Sequence, residues 1–183
     1  IFLDCGGNDG CSVRMFRDKH DPECEFEIYT FEPNPRFWND YGEFKNHHLI
    51  KKAVWIEDAS QPFFLGKTKF GFGSSLIKEK RTGNLDKNNP LMVEGFDFHK
   101  WIIKTFSIED YIFLKFDIEG AEYKVLERMI KEGSMSYINK LAIDWHWNKI
   151  GVNKTTHDQV ENNIISHKID IIGWAAEPYR KNL

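Results

Sequence analysis

The stretch DCGGNDG (residues 4–10) follows three apolar residues and precedes the amphipathic segment CSVRMFRD (residues 11–18). This order predicts a strand, a tight turn and a helix. Glycine permits positive φ and lets another group approach the backbone closely. In an open parallel sheet such a turn lies at the carboxyl end of a strand, where ligands bind, and the helix start adds free N–H groups. The stretch therefore predicts a ligand site, although an ordinary strand–helix turn has the same ingredients.

The spacing of the glycines excludes two common nucleotide sites. The dinucleotide fingerprint G-x-G-x-x-G, begun at Gly6, fails because Asn8 and Cys11 occupy the later positions. A P-loop fails too, because no Gly-Lys-Ser/Thr ending follows. What remains is Asp4-x-Gly6-x-Asn8-x-Gly10, with an acid before the turn and no cation within it. This pattern favours a ligand that carries an ammonium group over one that carries phosphates.

A second acid follows one strand–helix unit later, in EIYTFEPNP (residues 27–35). The alternation predicts a strand that ends at Glu32, before two prolines. An acid at this position commonly accepts hydrogen bonds from ribose hydroxyls. A ligand with a ribose, an ammonium group and no phosphate is S-adenosylmethionine. Glu32 alone is typical of a solvated strand end, but together with the glycine turn it indicates this cofactor.

The rest of the chain alternates strands and helices, which predicts an α/β fold with a doubly wound, mostly parallel sheet in one domain over residues 1–183. Asp97 is a candidate N-cap, and Thr156 with Gln159 resembles a capping box. The composition of residues 69–90 predicts a mobile hairpin and loop over the site. The basic residues from Lys78 to Arg81 in this segment predict a solvated face. Further strands are predicted at 49–56, 61–67, 111–120, 141–147 and 169–177, and further helices at 36–41, 96–106, 121–130 and 157–167.

Composition narrows the function classes. The 183 residues are 41% hydrophobic and 15% aromatic, which predicts a folded core, and the net charge of −3 provides no basic field for nucleic acid. Cys5, Cys11 and Cys24 form neither a complete disulfide framework nor a zinc pattern. With no signal peptide and no membrane-spanning apolar run, we expect a reduced, cytoplasmic protein. Because the chain begins without Met and inside a strand, we also expect it to be part of a longer chain.

Four polar side chains follow the two central apolar runs. Asp117 and Glu119 end the run at 111–120, and Asp144 and His146 lie in LAIDWHW (residues 141–147), where alternation puts both on one strand face. Carboxyl ends of neighbouring parallel strands meet at one sheet edge, so these groups can converge. His146, Asp117 and Glu119 are candidate catalytic residues, with His146 as the general base. Asp117, Asp144 and His146 also suit a divalent metal, Mg²⁺ or Mn²⁺. The alternatives are an interior histidine at 146 and a helix-capping acid at 119.

Together, DCGGNDG, FEPNP, GSSL and FLKFDIEGAEYKVL resemble the FkbM-type methyltransferases over residues 4–173. The resemblance implies a Rossmann-like class I methyltransferase fold and an S-adenosylmethionine-dependent enzyme that methylates sugar hydroxyls, with a carbohydrate or glycan acceptor and association with glycosyltransferase domains. It also implies cofactor roles for Asp4, Gly6, Asn8 and Gly10 at the methionine portion, Glu32 at the ribose, Ala53 at the adenine, and Asp117 with Glu119 beside the methyl donor. Asp144 departs from the family, which more often has Glu at that position.

Two other functions remain open from the sequence. A nicotinamide-dependent, NAD(P)-linked oxidoreductase uses a similar fold, although the failed G-x-G-x-x-G pattern weighs against it. A cofactor-binding accessory domain without catalysis would keep the same glycine turn. Nucleic-acid methylation is less favoured, because the chain has neither a Pro-Cys dipeptide nor a basic surface charge.

Overall fold

The computed structural model of the protein describes residues 1–68 and 71–180. Its strands are β1 (Phe2–Cys5), β2 (Ile28–Phe31), β3 (His47–Ile50), β4 (Ala53–Trp55), β5 (Ala59–Phe63), β6 (Leu91–Asp97), β7 (Phe113–Phe116), β8 (Lys140–Ile143) and β9 (Asp170–Ile172). Its α-helices are α1 (Cys11–Lys19), α2 (Phe98–Thr105), α3 (Glu122–Glu132), α4 (Trp147–Ile150) and α5 (Lys154–Ser166). Short 3₁₀ helices cover Pro35–Tyr41, Ser134–Tyr137 and Glu177–Tyr179.

Six parallel strands form the central sheet in the order β3-β2-β1-β7-β8-β9. The chain moves outward from β1 to β3, then returns to place β7 on the other side of β1. The strand order therefore reverses between β1 and β7, and such a switch point opens a crevice at the carboxyl ends of the strands. This is the predicted Rossmann-like architecture.

Helices cover both faces of this sheet because successive strand side chains point to opposite sides. Phe2 of β1 packs with Val13 and Phe16 of α1, and the Phe2 and Phe16 rings stack with centroids 3.9 Å apart. The next residue, Leu3, belongs to the larger core on the other face, which includes Leu126 of α3. The sheet is thus doubly wound, and its near-continuous apolar strands are typical of burial on both faces.

A second, three-stranded sheet has the order β4-β6-β5, with β4 parallel and β5 antiparallel to β6. The single strand predicted over residues 49–56 is therefore wrong. Its first half is β3 of the central sheet, its second half is β4 of the small sheet, and the chain leaves one for the other at Lys51 and Lys52. A continuous pattern could not reveal this break, because both halves are extended.

The helix starts were predicted with mixed success. Asp97 caps α2 as expected, since its side chain accepts a hydrogen bond from the Lys100 N–H at 3.1 Å. The capping box at Thr156 is wrong: α5 begins at Lys154, and the Asn153 side chain accepts from the Thr156 N–H at 2.8 Å. Asn is as good a cap as Ser or Thr, and it lies three residues earlier.

Two predicted strands end earlier than expected. In the segment 141–147 the strand stops at Ile143, so Asp144 and His146 lie on the turn before α4 and do not share a strand face. In the segment 169–177 only β9 pairs with the sheet, and Trp174 instead packs on the Phe2 ring, with centroids 5.7 Å apart. Within the described ranges, no helix combines the length and apolarity that crossing a bilayer requires.

Candidate functional site

The strand register brings the functional candidates to one edge of the sheet. Cys5 at the end of β1 pairs with Phe31 of β2 and Phe116 of β7, and Phe116 pairs with Ile143 of β8. The residues that follow these four partners therefore lie side by side at the switch point: Gly6, Glu32, Asp117 and Asp144. Three of them were predicted from strand ends alone.

A cleft of about 1010 Å³, including the space at its open mouth, lies at this edge. Its walls come from the glycine turn, the end of β2, the start of β4, residues 71–74, the ends of β7 and β8, and the C-terminal segment near residues 174–180. Of the predicted cofactor residues, Gly6, Asn8, Glu32, Ala53 and Asp117 line it. Its size suits a cofactor or small ligand.

Asp4 and Gly10 lie beside the cleft and are not part of its lining. Gly10 is the N-cap of α1 at φ +80°, where a Cβ would lie 3.0 Å from the Phe44 ring. Asp4 is fully buried beneath the turn and accepts a hydrogen bond from the Thr30 hydroxyl at 3.2 Å. Both residues therefore shape the turn from below.

The turn itself explains why glycine is needed at residue 6. Gly6 has φ +84°, and a Cβ there would lie 2.0 Å from the main-chain oxygen of Asp117. Its N–H donates to the Phe31 carbonyl at 3.0 Å. The group that approaches Gly6 most closely is thus the neighbouring strand end of the chain itself, which leaves no room for any side chain.

Glu32 joins the turn to the end of β2. One carboxylate oxygen accepts the Asn8 N–H at 2.8 Å, and the other accepts the Asn34 N–H at 2.7 Å. The side chain is 5% exposed. Burial raises the pKa of Glu32 to about 7, although the two N–H donors favour the charged form. The acid is thus held in place by the backbone and costly to ionise.

A buried lysine that the sequence analysis missed accounts for Asp4. Lys115 of β7 places its ammonium 3.1 Å from Asp4 Oδ1 and donates to the Gly6 carbonyl at 2.7 Å. Burial alone would lower the pKa of Lys115, but Asp4 and Asp117 raise it above its usual range. The charge of Asp4 is therefore already paired, so Asp4 does not supply the free anion that the sequence pattern indicated for a ligand ammonium group.

The predicted acids and histidine do converge. His146 Nε2 lies 3.2 Å from Glu119 Oε2, 3.3 Å from Asp144 Oδ2 and 3.8 Å from Asp117 Oδ1. The Asp117, Glu119 and Asp144 side chains are 38%, 24% and 54% exposed and line the cleft, whereas His146 is fully buried and lies behind them. We call these four residues the acid–histidine cluster.

The opposite side of the imidazole is held by Glu122, the first residue of α3. Glu122 Oε1 accepts the His146 main-chain N–H at 3.0 Å and lies 3.1 Å from His146 Nδ1, while Oε2 accepts the Gly120 N–H at 2.8 Å. Burial would lower the pKa of His146, but Glu122 together with Glu119 and Asp117 raises it. This ring is buried like an interior histidine, and its Nδ1 is the hydrogen-bonded nitrogen.

Glu119 does not cap α3, since that helix begins after Ala121 with no side-chain cap bond. It adopts φ +56°, a conformation uncommon for a residue with a side chain. Its Oε2 lies 2.8 Å from the Lys80 ammonium, which also donates to the Gly73 carbonyl at 2.8 Å. The capping alternative for Glu119 is therefore wrong.

The prediction of a solvated face at residues 78–81 is wrong at Lys80, whose side chain is 1% exposed, whereas Lys78, Glu79 and Arg81 are exposed. Within the segment 69–90, residues 71–74 and 76 lie at the site, as expected. Gly73 and Leu76 line the cleft, and the Ser75 hydroxyl donates to the Glu119 carbonyl at 2.8 Å. Residues 69 and 70 lie outside the described residues. A lysine within a charged run carries no sequence signal that distinguishes it from its solvated neighbours.

The C-terminal segment closes the other side of the cleft. Trp174 lines it and donates from its indole N–H to the Ser12 hydroxyl at 3.1 Å. Arg180 also lines it and lies over the Phe72 ring, 4.2 Å from the ring centroid. These contacts were not expected, because residues 169–177 were predicted to form a strand.

The chain is similar to one family of known proteins. A family model described as the methyltransferase FkbM domain matches residues 4–168. Among solved structures, a crystal structure of methyltransferase FkbM from Methylobacillus flagellatus KT is similar, with 17% sequence identity and a TM-score of 0.49 over 90% of this chain. The match spans 36% of that protein's chain. A comparison with curated proteins found no match.

Proposed function

This chain belongs to the FkbM methyltransferase family, and we propose that it transfers the methyl group of S-adenosylmethionine to a hydroxyl of a sugar, in a glycan or a glycosylated small molecule. The observation that carries the proposal is the cleft at the switch point between β1 and β7, which has Glu32 on one side and the acids of β7 and β8 on the other.

The residues of the cleft suit this donor. Each Glu32 oxygen accepts one backbone N–H and keeps further acceptor capacity for a ribose hydroxyl. Ala53, Val54 and Phe63 offer an apolar wall for an adenine ring. The acid–histidine cluster provides negative charge for the ammonium and sulfonium groups of the donor. Asp4 does not provide this charge, because it is paired with Lys115.

Within the proposed role, Asp4 and Gly10 support the cofactor indirectly, whereas Gly6, Asn8 and Glu32 contact it. Asp4 positions Lys115, whose ammonium holds the Gly6 carbonyl. The α1 helix starts directly after Gly10. These two residues thus fix the shape of the turn that the cofactor meets.

S-adenosylmethionine, when bound, supplies an electrophilic methyl group on a sulfonium. A sugar hydroxyl must lose its proton as it attacks, so a general base is needed. Asp117 and Asp144 are the most exposed carboxylates of the cluster, which favours them as proton acceptors. Full burial argues against direct proton transfer to His146, and we assign it a positioning role behind the acids that line the cleft.

The wider setting is also part of the proposal. We take residues 1–183 as one methyltransferase domain, and we propose a carbohydrate acceptor and association with glycosyltransferase domains, which membership of the family supports. Cys5, Cys11 and Cys24 carry free thiols, which suit a reducing, cytoplasmic environment.

A thermal-shift panel separates the candidate functions. We expect S-adenosylmethionine and its demethylated product to raise the Tm and NADH to have no effect. Stabilisation by NADH alone would favour the oxidoreductase. Incubation with methyl-labelled donor and a panel of glycans then tests transfer, with Glu32→Gln as a variant impaired in donor binding. Tight donor binding without labelled product on any acceptor would support the accessory, non-catalytic domain.

A further inference from the structure

We propose that Asp117, Glu119 and His146 form a binding site for a divalent cation, Mg²⁺ or Mn²⁺, at the edge of the cleft. One ligand atom from each residue lies within 4.8 Å of the others. Carboxylate oxygens are typical ligands of both ions, and Mn²⁺, as a transition metal, also accepts an imidazole nitrogen. The set replaces Asp144 of the sequence prediction with Glu119, because Glu119 lies slightly closer to the imidazole and is less exposed.

The orientation of His146 is the second, independent observation. Its Nε2 is buried and has no hydrogen-bond partner anywhere in residues 1–68 and 71–180, although three carboxylates surround it. A buried polar atom without a partner is costly. A cation bound between this nitrogen and the carboxylates would satisfy it.

Glu122 supports the same assignment. It lies 3.1 Å from His146 Nδ1, and its own position is fixed by the Gly120 N–H. Histidine ligands usually donate their second ring N–H to a carboxylate, which fixes the tautomer and leaves the other nitrogen free for the metal. Glu122 is therefore a positioning residue that directs the Nε2 lone pair toward Asp117 and Glu119.

The charge around the imidazole favours a cation as well. Across the described parts of the chain, Lys80 contacts Glu119 and Lys115 lies 4.0 Å from Asp117. The carboxylates within 4 Å of the imidazole nitrogens number four: Asp117, Glu119, Glu122 and Asp144. A divalent ion would offset the excess negative charge.

A second group of possible ligands, His157, Asp158 and Glu161, lies on α5. Its imidazole Nδ1 is already 2.9 Å from the Tyr123 hydroxyl, and Lys154 contacts Asp158 at 2.6 Å. This imidazole is hydrogen-bonded and has no orphaned nitrogen like His146 Nε2, so we infer no cation site there. The group provides a matched control of the same residue types.

The test is a titration of the chelator-treated protein of residues 1–183 with MnCl₂, followed by calorimetry and by the electron paramagnetic resonance signal of free Mn²⁺. We expect one saturable site per chain. Asp117→Asn and Glu119→Gln should each weaken Mn²⁺ binding at least about tenfold, and Glu122→Gln about 10–100-fold. Glu161→Gln should leave binding unchanged. Circular dichroism and Tm confirm that each variant is folded, and Asp117→Asn, at a 38% exposed side chain, is the variant least able to disturb the fold.

Absence of saturable binding to the folded wild type would overturn the proposal. Equal binding by the wild type and by both folded Asp117→Asn and Glu119→Gln would do the same. A contribution of the cation to methyl transfer would depend on the proposed function. Binding of the cation to Asp117, Glu119 and His146 does not depend on it. Donor binding measured in parallel keeps the two apart: a Tm rise with S-adenosylmethionine but no Mn²⁺ binding rejects only the cation site, and the reverse result rejects only the donor.

Discussion

Glu32→Gln is expected to separate the stability of this protein from its affinity for the methyl donor. The pKa of Glu32 is raised from 4.5 to about 7, mainly by burial. The N–H groups of Asn34 and Asn8 oppose this rise, as does the charge of Lys115, whereas the charge of Asp4 adds to it. At about 1.4 kcal/mol per pKa unit, the difference corresponds to about 3 kcal/mol. The acid holds its proton more tightly in the folded chain, so this contribution is present below pH 4.5 and is lost as the pH rises through 7.

The variant has no carboxyl group to ionise at this position, so it should not show that loss. Its amide NH₂ cannot accept a hydrogen bond, and one of the two backbone N–H groups loses its acceptor at a cost of about 1–3 kcal/mol. At pH 5 we therefore expect Glu32→Gln to be less stable than the wild type. At pH 8 relief of the buried charge offsets this cost. The difference in unfolding free energy between the two proteins should thus change by about 2.5 kcal/mol from pH 5 to pH 8, in favour of the variant.

Donor affinity should change in the opposite direction. A hydrogen bond to a charged group is worth about 1.5–3 kcal/mol, so loss of the carboxylate should weaken S-adenosylmethionine binding about 10- to 100-fold at pH 8. Urea unfolding at both pH values and calorimetry at pH 8 measure the two effects. Glu109→Gln, at an exposed position, is the matched control. Parallel pH dependence of stability in the variant and the wild type would refute the burial argument, and unchanged affinity would refute the ribose assignment.

Two further substitutions test the turn and the loop. Gly6→Ala should lower the free energy of unfolding by about 2–5 kcal/mol, because the new Cβ would lie 2.0 Å from a carbonyl oxygen and the residue has a φ of +84°. Gly133→Ala, at φ +89° with open space, should cost only about 1–2 kcal/mol, and equal Tm losses for the two would contradict the close approach. Lys80→Met should lower the free energy of unfolding by about 3 kcal/mol. This is the low end of the range for breaking a buried ion pair, because the partner Glu119 is 24% exposed. Exposed Lys78→Met should change unfolding by under about 0.5 kcal/mol, and similar urea midpoints would count against a structural role for Lys80.

The fold class and most of the cleft could be predicted from the sequence because they depend on local patterns. An apolar run followed by glycines or an acid marks the end of a buried strand wherever that strand lies in the sheet. Gly6, Glu32 and Asp117 were located in this way, and parallel strands brought them together at one edge. The apolar run over residues 49–56 shows the limit of the method, because pattern alone does not say which sheet a strand joins.

The partners of the charged groups were decided only by the tertiary structure. Lys115 and Asp4 are 111 residues apart in the chain, and Lys80 meets Glu119 across a loop. The energy of a buried charge depends on which opposite charge lies within a few ångströms and on how much water is excluded. Both quantities are set by strand order and loop packing, so the sequence indicated free anions and a solvated lysine where the folded chain has buried ion pairs. His146 differs from the prediction for the same reason: its sequence neighbours suggested a strand face, but the end of β8 and the start of α3 place it behind the acids.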